Sequence, residues 1–221
     1  LPSAKVIKHS KIYNEELITI EIELHRFILP EFNTHRSLSR NFQSSRAVPT
    51  RKILDQVRLN PAMPVYWGKN QRGMCAKEEL EGDVLNKMKT CWTDGAMVAV
   101  ALAEEMLDNG LHKQIANRLL EPFMWTKGVV TGTKVAWDAF LALRDHPAAQ
   151  PEIRALAIEI RDAINSSEAI ERVVGDWHLP YVNDDLTLAD AIMVSISCCA
   201  QVSYRSLDDS LEKARKIYEM L

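Results

Sequence analysis

Residues 17–24 alternate between apolar and more polar side chains, and this pattern constrains the fold more than any other in the chain. The even positions are all aliphatic, whereas the odd positions include Thr19, Glu21 and Glu23. Because successive side chains of a strand point to opposite faces of a sheet, the pattern predicts a strand with one buried face. Residues 5–9 are typical of a second strand, and residues 11–16 predict the hairpin turn between them.

Two short helices are predicted next. Residues 27–32 change to helical periodicity, and Pro30 fits only the first turn of such a helix. Thr50 is a candidate N-cap for a helix that ends near residue 59. A loop with two glycines and a tryptophan follows at 64–74, and a loop of this composition either covers a site or turns a corner.

The longest helical pattern spans 82–107, and its apolar middle at 96–102 predicts a buried helix. Residues 125–133 are rich in β-branched residues and glycine, which predicts an extended segment.

The chain has no internal repeat and no Gly/Ser-rich or Pro-rich linker that would divide it, so a single domain over 1–221 is predicted. Further helices are predicted at 112–120, 135–143, 148–164, 187–203 and 207–221.

Composition argues against several classes of protein. The net charge of −3, from 27 Lys and Arg against 30 Asp and Glu, argues against a general nucleic-acid binder. No apolar run reaches membrane-spanning length and no signal peptide precedes the first strand, so no membrane partner is expected. The four cysteines lack metal-type spacing, and four free thiols fit the reducing cytoplasm.

Hydrogen-bond donors are concentrated in residues 34–46, THRSLSRNFQSSR, named here the donor segment. Glu31 is the only acid within residues 26–52, which also carry one histidine and several arginines. Guanidinium groups engage two oxygens at once, so the segment predicts an anion site, above all for a phosphate. A solvated basic loop is the alternative. For Arg118, in the last turn of a predicted helix, pairing with the helix dipole competes with a ligand role.

Several catalytic motifs are absent from the sequence. It contains neither GxxxxGK[ST] nor GxGxxG, and it has no GxSxG turn for a nucleophilic serine. Glu31 and His35 supply too few ligands for a metal, so no metal site is predicted. No cysteine has an adjacent activating base. The anion site therefore indicates an enzyme whose chemistry comes from a cofactor, or a nucleotide-binding module without chemistry.

The donor segment resembles the signature of the flavin-dependent thymidylate synthases, RHRxxSxNExSxR. Thr34 stands in place of the first arginine of that signature, and Phe42 in place of its glutamate. The positions that agree with the signature are His35, Arg36, Ser39, Asn41, Ser44 and Arg46.

Segments further along the chain are similar to other motifs of the same family. RLLEP at 118–122 resembles RxxLP, and FLALR at 140–144 followed by AQPEI resembles FLxLR followed by AQxEI. CAQVSY at 199–204 resembles ARVS[FY], with Gln201 in place of the arginine. Its position near the C-terminus is typical of a circularly rearranged branch found in phages and some bacteria. The resemblance covers most of the chain.

The resemblance implies a fold and a reaction. The expected fold is α+β, with an antiparallel sheet packed with a helical bundle, and family members are homotetramers with active sites built from several subunits. They transfer the methylene of methylenetetrahydrofolate to C5 of dUMP, and FAD reduced by NADPH supplies the hydride. No enzyme residue attacks C6 of the uracil, which agrees with the lack of an evident nucleophile in this sequence.

The resemblance also assigns the nucleotide site. Ser44, Ser45 and Arg46 are expected to hold the phosphate, and Arg118 and Arg144 complete the site. Arg144 is expected near the pyrimidine, where its charge stabilises negative charge that develops on the ring. Arg144 and Ser44 are therefore the predicted catalytic residues.

The cofactor site is expected to lie beside the nucleotide site. His35 and Arg36 are expected to contact the flavin, and Thr34 precedes them in the signature. Asn41 is expected to support these contacts. Thr133 occupies a flavin-contact position where the family prefers Asn.

Departures from the family pattern define two alternatives. Glu31 and Phe42 stand where the family often places Gln and Glu near the nucleotide. Because the glutamate is lost at Phe42 and the arginine at Thr34, the enzyme could accept UMP instead of, or alongside, dUMP, as a methylase of a nucleoside-antibiotic pathway would. Thr133, Val135 and Ala139 replace family residues at flavin positions, which favours a non-catalytic nucleotide-binding homologue as the second alternative.

In the family the ARVS[FY] motif leads, after a helix, to a segment that contacts the flavin. A flavin-contacting C-terminal tail beyond Leu221 is therefore predicted. An intact mass that matches a chain ending at Leu221 would refute this expectation.

Overall fold

The computed structural model describes residues 1–182, 185–203 and 207–220. Tyr204, which ends the segment similar to ARVS[FY], and Leu221 lie outside these residues. The strands are β1 Ser3–Ile12, β2 Glu15–His25, β3 Ser39–Phe42, β4 Trp125–Thr133 and β5 Ile170–Glu171. The α-helices are α1 Leu29–Phe32, α2 Thr50–Leu59, α3 Gly82–Asp108, α4 Lys113–Ala116, α5 Lys134–Arg144, α6 Pro151–Asn165, α7 Leu188–Ala200 and α8 Leu211–Tyr218. Within the described ranges, none of these helices is long and apolar enough to cross a membrane.

The described strands form one sheet in the order β3–β4–β2–β1–β5. Neighbouring strands run antiparallel, except that β5 is parallel to β1. The register of β2 on β4 runs from Leu17 opposite Thr133 to His25 opposite Trp125. The predicted strand pair and the predicted extended segment 125–133 are confirmed, and so is an α+β fold with a mostly antiparallel sheet. The assembly of four copies stays a prediction.

The apolar face of β2 forms the centre of the core. Its four even-numbered side chains from Ile18 to Leu24 are at most 1% exposed. Burying one such side chain stabilises the fold by roughly 1.5–3 kcal/mol. The buried face of β2 therefore holds α5 and α6 against the sheet, and with them Arg144 at the end of α5. The helix residues of this cluster include Trp137, Phe140, Ile153, Leu156 and Ile160.

A second cluster joins α2, α3 and the 3-10 helix Asn117–Phe123. Only one face of α3 is buried in it. Ala96 and Val100 are buried, whereas Val98 is 59% exposed and Leu102 is 44% exposed. The prediction of a buried helix through 96–102 is therefore wrong for the three exposed residues Val98, Ala101 and Leu102, because each residue of a helix is rotated by about 100° from the one before.

The C-terminal segment covers the polar face of the sheet. His178 bonds Thr19 Oγ1 through Nε2 at 2.8 Å and Ser10 Oγ through Nδ1 at 2.9 Å. The Tyr181 hydroxyl donates to Glu21 Oε2 at 3.2 Å. Thr19 and Glu21 of the alternating strand thus make polar contacts with this segment.

Three local features differ from the sequence predictions. Thr50 does not cap α2: the N-cap is Pro49, and the buried Thr50 hydroxyl has no hydrogen-bond partner within the described residues. The segment 112–120 is divided between α4 and the 3-10 helix, which contains Pro122 and so lacks one backbone donor. β3 lies inside the donor segment, where polar side chains hide any strand pattern.

Candidate functional site

The donor segment runs from the end of α1, through a turn, into β3 at the edge of the sheet. Arg40 holds the turn together. Its guanidinium donates to Asn33 Oδ1 at 2.9 Å and to the carbonyl oxygens of Asn33, His35 and Leu38 at 2.7, 3.2 and 2.7 Å. Arg40 therefore shapes the segment and is not available as a free anion ligand.

Glu31, His35 and Arg144 form what we name the Arg144 cluster. The Arg144 Nε atom donates to His35 Nε2 at 2.8 Å, and its Nη1 atom donates to Glu31 Oε1. The His35 ring lies edge-to-face against Phe140, with ring centroids 4.8 Å apart. Arg144 is 20% exposed and Glu31 is 29% exposed, so the ion pair is partly shielded from water. Two predicted substrate residues and one predicted cofactor residue thus lie together.

The arrangement fixes the protonation state of His35. A guanidinium has no acceptor, so His35 Nε2 must present its lone pair and the ring proton must sit on Nδ1. Burial lowers the pKa of His35, and the nearby charges of Arg144 and Arg40 lower it further. The ring is therefore neutral at pH 7, as the hydrogen bond from Arg144 requires.

A second group, named here the Glu121 cluster, comprises Arg26, Ser45, Arg118 and Glu121. Glu121 Oε1 accepts from Ser45 Oγ at 2.7 Å, from Arg118 Nη1 at 3.0 Å and from Arg26 Nη2 at 3.4 Å. Arg26 also donates to the Gln43 carbonyl oxygen at 3.2 Å. Two cations share one carboxylate, so the cluster keeps a net positive charge that favours an anion.

The turn after β3 is fixed from two sides. The Ser44 N–H donates to Ser203 Oγ at 3.0 Å, and Asn117 Nδ2 donates to the Ser45 carbonyl oxygen. Arg46 is exposed, and within the described ranges neither its guanidinium nor the Ser44 hydroxyl makes a hydrogen bond. These two groups are therefore free to bind an oxyanion beside the Glu121 cluster.

Three of the predicted cofactor residues lie at the outer end of the β3–β4 pair. Ser39 of β3 pairs with Thr131 of β4, so Arg36, which precedes β3, and Thr133, which ends β4, are at the same end. The Thr133 hydroxyl caps α5, and the Thr34 hydroxyl closes a turn on a backbone carbonyl at 2.7 Å. Arg36 is exposed, and its side chain has no partner among the described residues.

The remaining predicted residues of β3 make packing contacts. Asn41 Nδ2 donates to the Cys199 carbonyl oxygen at 2.9 Å, which ties the edge strand to the end of α7. The half-buried Phe42 ring lies 5.4 Å from the Phe32 ring and directly against Gly128. Asn41 thus ties the edge strand to α7, and its role beside the cofactor stays a prediction, whereas Phe42 fills space in the core.

The donor segment carries residues of both clusters: His35 precedes β3, and Ser45 follows it. No hydrogen bond or ion pair joins the two clusters within the described residues. The membership of Arg118 and Arg144 in one nucleotide site therefore stays a prediction.

Sequence reasoning assigned no site role to Arg26, Arg40 or Glu121. Arg26 and Arg40 were visible only as part of the basic bias of the segment 26–52. Glu121 had a clearer signal, because it stands at the leucine of the RxxLP motif that residues 118–122 resemble. Glu121 places a carboxylate where the motif has an aliphatic side chain, three residues after Arg118, the expected phosphate ligand. This spacing predicts an ion pair between Glu121 and Arg118.

A cavity of about 870 Å³ opens beside the Arg144 cluster. Glu31 and Arg144 line it, together with α6 and the loop 64–74, which covers the cavity rather than only turning a corner. The loop is anchored where the Val65 N–H donates to the buried Glu152 Oε1 at 2.9 Å. Ligand cavities commonly have volumes of about 300–1,000 Å³, so this one is large enough for a heterocycle.

A second cavity, of about 440 Å³, lies on the polar face of the sheet. Gln43 and Val48 connect it to the turn after β3, and its lining carries charges of both signs, from Glu21, Glu23 and Lys127 among others. No group of three or more His, Cys, Asp or Glu residues that could hold a metal ion occurs in the described part of the chain.

Comparison with known proteins identifies relatives of this chain. Residues 4–167 match the family described as thymidylate synthase complementing protein. A flavin-dependent thymidylate synthase from Aquifex aeolicus (strain VF5) is 36% identical over 66 residues. That stretch is 30% of this chain and only 21% of the length of the Aquifex protein.

Solved structures with a similar fold include the UMP/dUMP methylase PolB from Streptomyces cacaoi. The structure bound with 5-Br UMP has a TM-score of 0.59 and 16% identity, over 74% of this chain and 88% of that chain. The structure bound with 5-Br dUMP has a TM-score of 0.56 and 20% identity, over 67% of this chain and 66% of that chain. At these identities the likeness shows a shared fold.

Proposed function

Because this chain belongs to the thymidylate synthase complementing protein family, we propose that it methylates C5 of a uridylate in a flavin-dependent reaction. The principal substrate is dUMP, the one-carbon donor is methylenetetrahydrofolate, and the reductant is NADPH. The observation that carries the proposal is the Arg144 cluster, in which a guanidinium fixed by two acceptors lines a cavity of about 870 Å³. A fixed cation there stabilises negative charge on the pyrimidine as C5 gains its carbon.

The phosphate of the nucleotide binds at the Glu121 cluster and the adjoining turn. The Ser44 hydroxyl and the exposed Arg46 guanidinium supply donors that make no other hydrogen bond in the described ranges. Arg118 is 54% exposed, so its remaining guanidinium donors can turn to a ligand while it stays paired with Glu121. Ser45 contributes its position in the turn, since its hydroxyl already donates to Glu121.

The residues at the outer end of the β3–β4 pair fit a cofactor with a diphosphate, such as FAD. Arg36 is an exposed cation with no partner among the described residues, and the first-turn amides of α5 favour an anion. Thr34, Asn41 and Thr133 hold this edge in place through the bonds described above. When bound, the reduced flavin supplies the hydride that turns the transferred carbon into a methyl group.

No hydrogen bond or ion pair joins the two clusters within the described residues, which is consistent with active sites shared between copies. We propose a homotetramer in which copies share active sites. The contacts of His178 and Tyr181 with β1 and β2 support a single domain over 1–221. Four free cysteines support a cytoplasmic location.

UMP is the second candidate substrate, favoured by two carboxylates. Glu31 Oε2 and Glu121 Oε2 make no hydrogen bond within the described residues. A carboxylate oxygen readily accepts a ribose hydroxyl, and such a contact favours the nucleotide that carries the 2′-hydroxyl. Glu31→Gln and Glu121→Gln variants are expected to lower UMP turnover more than dUMP turnover if either contact exists.

The test supplies purified protein with FAD, NADPH and methylenetetrahydrofolate, offers dUMP and UMP in separate reactions, and detects 5-methyl product by mass. Product from dUMP is expected, with a loss of about 100-fold or more in Arg144→Lys. Arg215→Lys, an exposed change on α8, is the matched control and is expected to keep full activity.

The other outcomes decide between the alternatives. Product from UMP alone would identify the pathway-type methylase. Nucleotide binding without product, in protein that stays colourless after FAD is added, would overturn the proposal in favour of a non-catalytic homologue.

A further inference from the structure

Arg144 is held by two acceptors that leave one edge of its guanidinium open. The Nε and Nη1 atoms are bonded to His35 and Glu31, whereas Nη2 makes no hydrogen bond within the described residues. On the basis of the function proposed above, we propose that His35 is the positioning residue for Arg144. Its neutral Nε2 atom fixes the guanidinium so that the Nη2 edge faces the substrate.

The surroundings of His35 hold the ring in one orientation. Phe140 packs edge-to-face on it with centroids 4.8 Å apart, and the Phe32 centroid lies 6.4 Å away. The His35 carbonyl oxygen accepts from Arg40 at 3.2 Å, which fixes the backbone that carries the ring. Ring and backbone are thus both restrained, so the acceptor has little freedom to leave the Arg144 Nε–H.

This role requires the neutral ring. A proton on Nε2 would remove the acceptor and place two cations in contact. The charged groups that face the ring are Arg144 from α5, Arg40 from β3 and Glu31 from α1. Burial lowers the pKa of His35, followed by the charges of Arg144 and Arg40. The hydrogen bond that positions Arg144 is therefore fully formed above the ordinary histidine pKa of about 6.5. It is lost as the pH falls through the lower pKa that His35 has in the folded protein.

The first experiment does not depend on catalysis. The full chain is labelled with ¹⁵N-histidine, and the His35 ring signals are assigned by their loss in His35→Gln. At pH 7.5 we expect a proton on Nδ1, an unprotonated Nε2, and a shifted Nε2 signal in Arg144→Lys. A proton on Nε2, or a charged ring at this pH, would overturn the proposal.

The second experiment measures methylation by variants. His35→Phe keeps the ring packing and removes the acceptor, so kcat is expected to fall by about 10–100-fold with little change in melting temperature. His35→Gln supplies an acceptor that does not titrate, so it is expected to restore most of kcat and to abolish the loss of activity at acid pH. His112→Gln, an exposed change at the start of α4, is the matched control.

A double variant separates positioning from an independent role. Once Arg144→Lys has been made, adding His35→Phe is expected to cost no more than about twofold, because both changes remove one interaction. Losses that multiply would overturn the proposal. A wild-type protein that makes no product would overturn the proposed function, while the ring-proton measurement would still decide the role of His35.

Discussion

Glu121 binds three donors through a single oxygen, so its role is structural as well as electrostatic. Replacing it with alanine leaves Arg26, which is only 16% exposed, and the buried Ser45 hydroxyl without their acceptor. We expect Glu121→Ala to lower the free energy of unfolding by about 1–3 kcal/mol, measured by urea denaturation. Glu105→Ala is the matched control, since this exposed α3 carboxylate makes no hydrogen bond in the described ranges. Equal stability of the two variants would contradict the structural role.

Gly128 lets the edge strand pack closely on β4. A Cβ atom at Gly128 would overlap the ring of Phe42 deep inside van der Waals contact. Gly128→Ala is therefore expected to lower the free energy of unfolding by about 1–3 kcal/mol. In the background of Phe42→Ala the same change should cost much less, because the clash is gone.

The control for this cycle is Gly95→Ala on α3. A Cβ atom there would meet Phe123 at an ordinary 3.5 Å, and alanine has the higher helix propensity. Gly95→Ala is therefore expected to be neutral or stabilising in urea denaturation. A Gly128→Ala cost that is the same with and without the Phe42 ring would refute the contact as its cause.

At the scale of elements, residues 172–182 form a strap across the polar face of the sheet. His178 attaches the strap to β1 and β2 through Ser10 and Thr19, and Thr19 is bonded in turn to Thr131 at 2.7 Å. Burial lowers the pKa of His178 to about 4, with Lys8, Arg172 and His9 as further causes. The fold therefore favours the neutral ring, and the strap links protonation of this ring to stability.

The pH dependence of stability follows from the two pKa values of His178. The ring has a pKa near 6.5 in the unfolded chain and about 4 in the folded protein. Its contribution to the free energy of unfolding is therefore fully present above pH 6.5 and is lost as the pH falls towards 4. We expect the free energy of unfolding to drop between pH 7.5 and pH 5 by at most about 2 kcal/mol from this group. His178→Asn is expected to flatten that part of the urea-midpoint profile, and His112→Asn is not. An unchanged acid loss in His178→Asn would rule out the strap as its source.

Elements with an apolar face were predictable, and those without one were not. The alternation of residues 17–24 predicts the strand that the structure has as β2, since burial of one apolar face produces both the pattern and the strand. β3 was missed because its residues Ser39, Arg40 and Asn41 are polar, and an edge strand needs only backbone pairing with its neighbour. The Thr50 cap failed because Pro49 is the N-cap, so Thr50 is already inside the helix and its buried hydroxyl has no partner within the described residues.

The candidate site was predictable only in part, for a related reason. The donor segment was visible because its residues are contiguous, so local composition showed a concentration of cations and hydroxyls. The pair His35 and Arg144 is separated by 109 residues, and their contact depends on α5 packing on β2. Only the resemblance pointed to Arg144, and no local pattern paired it with Glu31 and His35.

At the scale of the whole molecule, the two clusters are related through β3. Along the chain, His35 of the Arg144 cluster precedes this strand and Ser45 of the Glu121 cluster follows it. If Arg118 of one copy and Arg144 of another serve the same nucleotide, as the proposed homotetramer implies, a second copy must bring its own cluster alongside. This makes the source of each arginine a measurable property of the assembly.

Mixing two inactive variants tests this sharing. Arg118→Ala and Arg144→Ala are each expected to be inactive alone. After the two variants are refolded together in equal amounts, half of the pairs of chains contain one chain of each variant. One of the two shared sites in such a mixed pair has both arginines. About a quarter of wild-type activity is therefore expected. Arg144→Ala mixed with Arg144→Lys is the matched control and should recover nothing, since no site regains Arg144. Mixed assemblies that form, as seen by differently tagged chains on size-exclusion chromatography, but stay inactive would place both arginines of each site on one chain.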